Sequence, residues 1–510
     1  MTERPWSRLS RRLALSAVTA FCLWRSAETA ASYFLSDDAY SYQSAWRSAA
    51  RSAPHGSLAL ACGIRDCISP VERSRLIAMS WERLPGPLVT IDESCGSWSV
   101  QHVLTSKWHP LSLGERLRGA GFAVVATNEY VKTWSRAGDR LTGSASGYGE
   151  VSVVREVVAL VAELGLMVFA LRMLWGPLRG LSPRCLTVPV VLVVVLGAIT
   201  LSHPLSAPNG LGTYGGKAKL MYCCGRECVD ILKGAAGDVL QPSYPPGLTL
   251  LACLHFVLSG GCGDRLVQMT VIFAVALLGL ALTRRSGGLR NTVPVLLFCL
   301  SPITIRLTSG FYAEPFAALM LVLGWNAVRE GRPFVGALVM GMAGLFRLEA
   351  VFVALVFALG TCVYDAGCRT NPMSAAVAVV PSSVWLVLCR LLGFGTLADW
   401  DFGQIPRLGQ IASAARIGIG AFLTITAPVM ITACLSGAAR RFRLHLEDVG
   451  FLGPMSLALT VGVVVCGYYT SPYADWMMSN TIPRLVWYVS AIPVFEFVRR
   501  TGDVPARVRK

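Results

Sequence analysis

The sequence predicts a polytopic α-helical membrane protein of about 12 transmembrane helices, with one inserted α/β domain outside the cytoplasm. Three observations predict it. First, only 15% of the 510 residues are charged while 54% are hydrophobic, and mean hydropathy is +0.54. Soluble domains run near a quarter charged. Second, the apolar residues fall in blocks such as Val188–Leu201, Val267–Leu282 and Ala375–Leu392, without the polar face that a soluble helix keeps toward water. Third, Lys and Arg gather in alternate loops between those blocks.

The candidate spans are 13–34, 152–174, 185–203, 266–283, 291–307, 313–328, 334–347, 349–364, 375–393, 415–436, 449–468 and 484–498. Arg4, Arg8, Arg11 and Arg12 precede the first span, which lacks a clean small-residue cleavage site and reads as an uncleaved helix. With the N-terminus inside, the cytoplasmic loops hold Arg179 and Arg184, then Arg284, Arg285 and Arg290, then Arg329 and Arg332. Arg369 and the Arg440, Arg441, Arg443 group follow, and the tail adds Arg499, Arg500, Arg507, Arg509 and Lys510. Each inside loop is basic, so both termini are expected in the cytoplasm. Tyr244–Leu258 is apolar too, but a span there would put Arg284 and Arg285 outside. It reads as an interfacial helix entered through Pro245 and Pro246.

The organisation is therefore an N-terminal transmembrane helix (1–36), an extracytoplasmic domain (37–150) and a multi-span domain (151–510) with an outer loop at 204–265. In the soluble domain Ser57–Ala61, Pro87–Ile91, Val100–Thr105 and Phe122–Ala126 read as strands. Tyr40–Arg51 and Pro70–Trp81 read as helices, and the alternation predicts a largely parallel sheet. The formal net charge of +16 sits beside apolar runs and so speaks for membrane lipids as partners, not nucleic acid. Sixteen cysteines offer no four-ligand zinc pattern, and Cys62 and Cys67 are spaced for a short disulfide loop or for free thiols.

The residues able to do chemistry lie on the predicted outer side. Lys217 and Lys219 point to different faces of a helix, so one can meet a phosphate while the other faces solvent; two lysines drawn to lipid headgroups are the plain alternative. Glu314 stands at the start of the sixth span. Arg347 and Glu349 stand at the turn between the seventh and eighth, where they either hold an anion and a proton or cap the turn as a pair. Asp37 and Asp38 follow the first span and suit a base, a divalent metal ion or a helix N-cap. Arg484 opens the last span, whose Trp487 and Tyr488 read as an interfacial aromatic belt. No metal-ligating set of residues is evident, and the cofactor is left open.

Four short motifs in this order carry a resemblance: KAK at Lys217–Lys219, YPPG at Tyr244–Gly247, YAE at Tyr312–Glu314 and RLEA at Arg347–Ala350. The closing ADWMMSNTIPRLV adds a fifth. Over about residues 180–500 the chain resembles the GT-C-type membrane glycosyltransferases, among them the dolichyl-phosphate-mannose-protein mannosyltransferases and the lipid A aminoarabinose transferases. The resemblance implies an inverting transferase that moves a sugar from a polyprenyl-phosphate donor to an extracytoplasmic glycan, lipid or protein. It assigns Lys217, Lys219 and Arg347 to the phosphate, with Tyr244, Asn209 and Arg484 as further substrate contacts. Glu314, Glu349, Asp37 or Asp38 would take the acid–base role. Pro208–Asn209 stands where the family has Trp-Asp, and an amide cannot act as base. Two other readings are a lipid or solute transporter (flippase), against which the two halves are dissimilar, and a GT-C-like scaffold without catalysis.

Overall fold

Long apolar stretches punctuated by Pro and Gly give helices of uneven length in the computed structural model. The structure describes residues 16–29, 57–61, 76–80, 102–106, 115, 117–119, 121–127, 131–136, 153–175, 183–201, 209–224, 228–233, 242–261, 264–283, 292–364, 373–394, 408–435 and 474–502. These are mostly helical. The expected strand at Pro87–Ile91, the helix at Tyr40–Arg51, the span at 449–468, the Cys62–Cys67 pair and both Asp37 and Asp38 lie outside the described residues.

The helices are α1 (16–29), α2 (Val153–Trp175), α3 (Pro183–Leu201), α4 (Lys217–Cys224), α5 (Cys228–Lys233), α6 (Gly247–Ser259), α7 (Asp264–Val267) and α8 (Met269–Thr283). Then come α9 (Thr292–Cys299), α10 (Pro302–Ser309), α11 (Glu314–Arg329), α12 (Pro333–Met342), α13 (Ala350–Tyr364), α14 (Met373–Leu391), α15 (Leu408–Leu435) and α16 (Ala474–Gly502). By length and composition α14 is able to cross a membrane, and α9 with α10 passes the same test as a pair. Further apolar helices among the described residues, such as Met269–Thr283 and Gly247–Ser259, run to 10–17 residues, so the described residues show one or two helices able to cross by themselves. Pro and Gly at the ends of the apolar blocks cut them into pieces.

The expected continuous span at 291–307 is one such case. Pro302 has no N–H to continue the α9 ladder, and the chain bends by 51° before α10. The carbonyls freed at the break find side-chain donors. Ser26 Oγ reaches Leu300 O at 2.6 Å, and Thr304 Oγ1 reaches Phe298 O at 3.0 Å. Ser301 then caps α10 with Pro at its first turn.

The core is built around α8, buried along its whole length, with α11 and α16 against it. Small residues bring α11, α12 and α14 close. A Cβ on Gly324 would lie 2.5 Å from Gly336 O, and one on Gly341 would lie 2.2 Å from Ala378 O. These close crossings fix the 3₁₀ turn Ala343–Leu345 that leads into Arg347. By contrast α2, α3 and α14 turn large aliphatic side chains outward, among them Val154, Val161, Val190, Val194, Val384 and Leu391.

The segment between α1 and α2 holds a five-stranded sheet: β1 (Ser57–Ala61), β2 (Leu76–Ser80), β3 (His102–Ser106), β4 (Phe122–Thr127) and β5 (Val131–Arg136), ordered β2-β1-β3-β5-β4. Only β2-β1-β3 is parallel; β3-β5-β4 is antiparallel, so the sheet is mixed and not largely parallel. Part of the helix expected at Pro70–Trp81 is strand β2, because Leu76–Ser80 pairs residue for residue with β1. The sequence pattern misses β5, whose Lys132, Thr133, Ser135 and Arg136 hide its apolar members. Its Trp134 is nonetheless buried. Strand β2 lies against Asn209–Gly216, the π-helical segment that feeds into α4.

Candidate functional site

Three separate stretches bring ionisable side chains to one buried place. Glu314 opens α11 behind the loop Gly310–Ala313, where Phe311 adopts φ 54°, a left-handed conformation uncommon for a bulky residue. Strain of this kind gathers where surrounding structure fixes a functional turn. Arg347 and Glu349 come from the turn after α12, and Arg484 from α16. Arg347 Nη2 donates to Glu349 Oε1 at 3.0 Å, and its Nη1 lies 3.6 Å from Glu314 Oε1. Arg484 Nη1 approaches the same Glu314 oxygen to 3.2 Å, and its Nη2 donates to Thr481 Oγ1. Arg347 is 1% exposed and Glu314 is 0% exposed, so this is an interior ion cluster and not a surface pair.

Tyr244 joins the cluster to the segment before α6. Its carbonyl accepts from Lys217 Nζ at 3.2 Å, and its ring faces the Arg347 guanidinium at 5.9 Å. Arg484 sits over Tyr312 at 4.6 Å. The Trp385 indole of α14 donates to Ser243 O, tying the same segment to another helix. Gly247 is required here: an added Cβ would come within 2.7 Å of Leu345 O and 2.8 Å of the Phe346 ring. Phe346 itself stacks on Phe316 at 4.9 Å. Gly247→Val is therefore expected to push the Arg347 turn away and cost about 1–3 kcal/mol, seen as a lower melting temperature of the purified protein. An unchanged melting curve would show that the contact is not tight.

Several buried polar atoms at this place make no hydrogen bond: Glu314 Oε2, Arg347 Nε and the hydroxyls of Tyr214 and Tyr488, while Glu314 Oε1 and Arg347 Nη1 meet only their ion-pair partners. Buried polar groups are almost always paired, so such a concentration is the mark of a polar-ligand site. The set is rich in donors, which suits an anion. Burial pushes the Tyr214 phenol well above its ordinary value, with Arg347 opposing, so Tyr214 remains a donor. Burial pushes the Lys217 amine down to about 7, with the Cys389 and Cys228 thiols pulling the other way.

Of the residues singled out in the sequence, Lys217, Tyr244, Glu314, Arg347, Glu349 and Arg484 are thus connected through direct contacts. Lys219 is a correction. It does not face solvent but is buried like Lys217, because α4 is covered on more than one side. The backbone of Asn209 begins the π-helical segment, five residues ahead of Tyr214. Trp487 and Tyr488 are also corrections: both are fully buried inside α16 packing, not at an aromatic belt. Tyr488 feels Glu349, Arg347 and Glu314 electrostatically, and Trp487 stacks on Phe298 at 5.2 Å. Sequence reading missed Tyr214, Tyr312, Thr481 and Tyr488 as site residues. The only local signal was Tyr214 among glycines, in a stretch with no other reason for an aromatic. Among the described residues, no three metal-ligating side chains gather. Comparison with protein families, with characterised proteins and with solved structures finds no match to this chain.

Proposed function

We propose that this chain is a GT-C-like membrane glycosyltransferase, passing a sugar from a polyprenyl-phosphate donor to an extracytoplasmic glycan, lipid or protein. The observation that carries the reading is the union of Lys217, Tyr244, Glu314, Arg347 and Arg484 in one donor-rich buried cluster, drawn from motifs far apart in sequence. The outward aliphatic faces of α2, α3 and α14 support a lipid surround. In this reading the chain crosses the membrane 12 times, its cluster lies at the outer leaflet, and the sheet domain stands outside.

The chemistry follows from the donors. The departing phosphate gains negative charge as the bond from the anomeric carbon to its oxygen breaks, and the bonding electron pair leaves with it. Arg347 Nε and the Tyr214 hydroxyl make no hydrogen bond and are able to meet that charge, with Lys217 linked to them through the Tyr244 carbonyl. The acceptor hydroxyl attacks the anomeric carbon from the opposite side and gives up its proton to a carboxylate. Glu314 suits this step because its Oε1 holds the two arginines while Oε2 makes no hydrogen bond.

Glu314→Gln should lower product formation from a panel of polyprenyl-phosphate sugars by at least about a hundredfold, with normal membrane abundance. Glu349→Gln should cost less, since Glu349 serves to hold Arg347. Undiminished product with Glu314→Gln would remove Glu314 from catalysis. A non-catalytic anion-binding scaffold is the second reading, favoured by Asn209 in place of an acid. It would be upheld if wild-type protein bound the donor and released no product from any of the panel.

A further inference from the structure

A separate buried polar group lies where α2, α6 and α8 meet. His255 on α6 has Nδ1 2.8 Å from Glu163 Oε1 on α2, and Thr270 on α8 donates to Glu163 Oε2 at 2.9 Å. Glu163 is 1% exposed and His255 0%. His255 Nε2 is buried and meets no hydrogen-bonding partner. A carboxylate in such surroundings is costly unless it has a task, and the proposed reaction gives it none.

The position of His255 suggests that task. Helix α6 is otherwise mostly apolar, with no other ionisable side chain than a cysteine thiol, and its apolar face alone would allow it to slide or turn against its neighbours. His255 lies eight residues beyond Gly247, about 12 Å along a rigid helix. At the near end, Gly247 touches the turn that carries Arg347, and Tyr244 just before it holds Lys217 by its carbonyl. At the far end, Gly260 closes the helix at φ 71°. Between them, the imidazole is held to one carboxylate, which a second helix also holds. A hydrogen bond to a charged group is directional, so it fixes rotation and translation where apolar packing fixes neither.

We propose that Glu163 is a positioning residue for the anion cluster: through His255, and steadied by Thr270, it seats α6 so that Tyr244 and Gly247 hold Lys217 and Arg347 in register. This deepens the function proposed above and rests on it only in treating the cluster as a phosphate site. Glu163 and His255 touch no reacting group themselves. Their effect travels along α6 as a rigid body.

The test reads the cluster's geometry without any sugar transfer. Full-length protein in lipid nanodiscs is treated with a small amine-acetylating reagent, and the rate at each lysine is followed by peptide mass spectrometry. Lys217 is buried against Tyr244 in the wild type and should react slowly. Glu163→Ala and His255→Leu should speed its acetylation by about tenfold, as a local opening would. Glu163→Gln can still accept from Thr270 and bond the imidazole, and His255→Asn can still donate to Glu163, so both should stay close to wild type. Lys219 on the same helix and Lys132 on β5 should not change. The double variant Glu163→Leu/His255→Leu leaves no buried charge, so it should fold even if Glu163→Ala does not, and it should still expose Lys217.

Slow, wild-type acetylation of Lys217 in the Ala, Leu and double variants would overturn the proposal. So would an equal rise in the Gln and Asn variants, or a rise at Lys219 in step with Lys217, since either means general loosening. A wild-type protein without transferase activity would remove the function proposed above and leave this result standing.

Discussion

Arg347→Ala should destabilise the protein by about 3–5 kcal/mol and abolish product formation. The guanidinium is 1% exposed and faces two carboxylates, Glu349 at 3.0 Å and Glu314 at 3.6 Å. Removing it leaves Glu314 facing Arg484 and strands Glu349 without its arginine. Buried charge without a counter-charge is the costliest local defect available in this interior. Lysine should not rescue, because one ammonium cannot reach two carboxylates with separate nitrogens and also face Tyr244. The triple variant Arg347→Met, Glu314→Gln, Glu349→Gln separates stability from function. It removes the charges together, so most of the melting temperature should return while activity stays absent. Thermal unfolding of purified protein and a product assay check both halves. An Arg347→Ala protein that melts like wild type would show that the cluster is not the buried ion pair described here.

How much of this was legible in the sequence depends on what kind of fact each residue records. Glu314, Arg347, Glu349 and Arg484 were legible because a charge beside a long apolar run is rare and demands a partner. Their convergence was foreshadowed only by topology, and the contacts themselves depend on glycines such as Gly247 and Gly341 that let backbones touch. Tyr214, Tyr312 and Tyr488 were not legible. An aromatic phenol near a membrane is commonly an interfacial anchor, and only packing reveals that Tyr488 is fully enclosed. The same limit applies to Lys219, since the face a short helix buries is decided by its neighbours. Strands β1, β3 and β4 were readable from β-branched and aliphatic runs. Strand β2 was not, because pairing with β1 outweighed a local preference for helix. The break between α9 and α10 falls at Pro302, inside what the apolar run presents as one continuous span. What the sequence could not give was how the freed carbonyls are met, by Ser26 from a helix 274 residues away and by Thr304.

Anion binding at the cluster should take up a proton, and Lys217 is where that proton goes. Burial holds its amine at about 7, so near neutral pH the charged and neutral forms are both populated. A phosphate beside Nζ favours the charged form and raises the pKa in the complex. Binding is then linked to protonation: affinity should fall as pH rises above about 7, by up to about tenfold per unit until the pKa of the complex is reached. A short-chain phosphodiester is the right probe, since it has no ionisation of its own near neutrality. Calorimetry in buffers of different ionisation enthalpy should give heats that differ by the proton taken up, and Lys217→Met should bind more weakly with no such difference. Stability of the unliganded protein must run the other way. The unfolded chain binds Lys217's proton up to its ordinary 10.5, while the folded one has released it by about 7. Between those values the unfolded state holds more protons, so stability rises with pH across that window, by a few kcal/mol at most. Opposite slopes for binding and folding are specific to a buried lysine that waits for an anion. A lysine drawn only to lipid headgroups would give flat stability over the same range and heats independent of buffer.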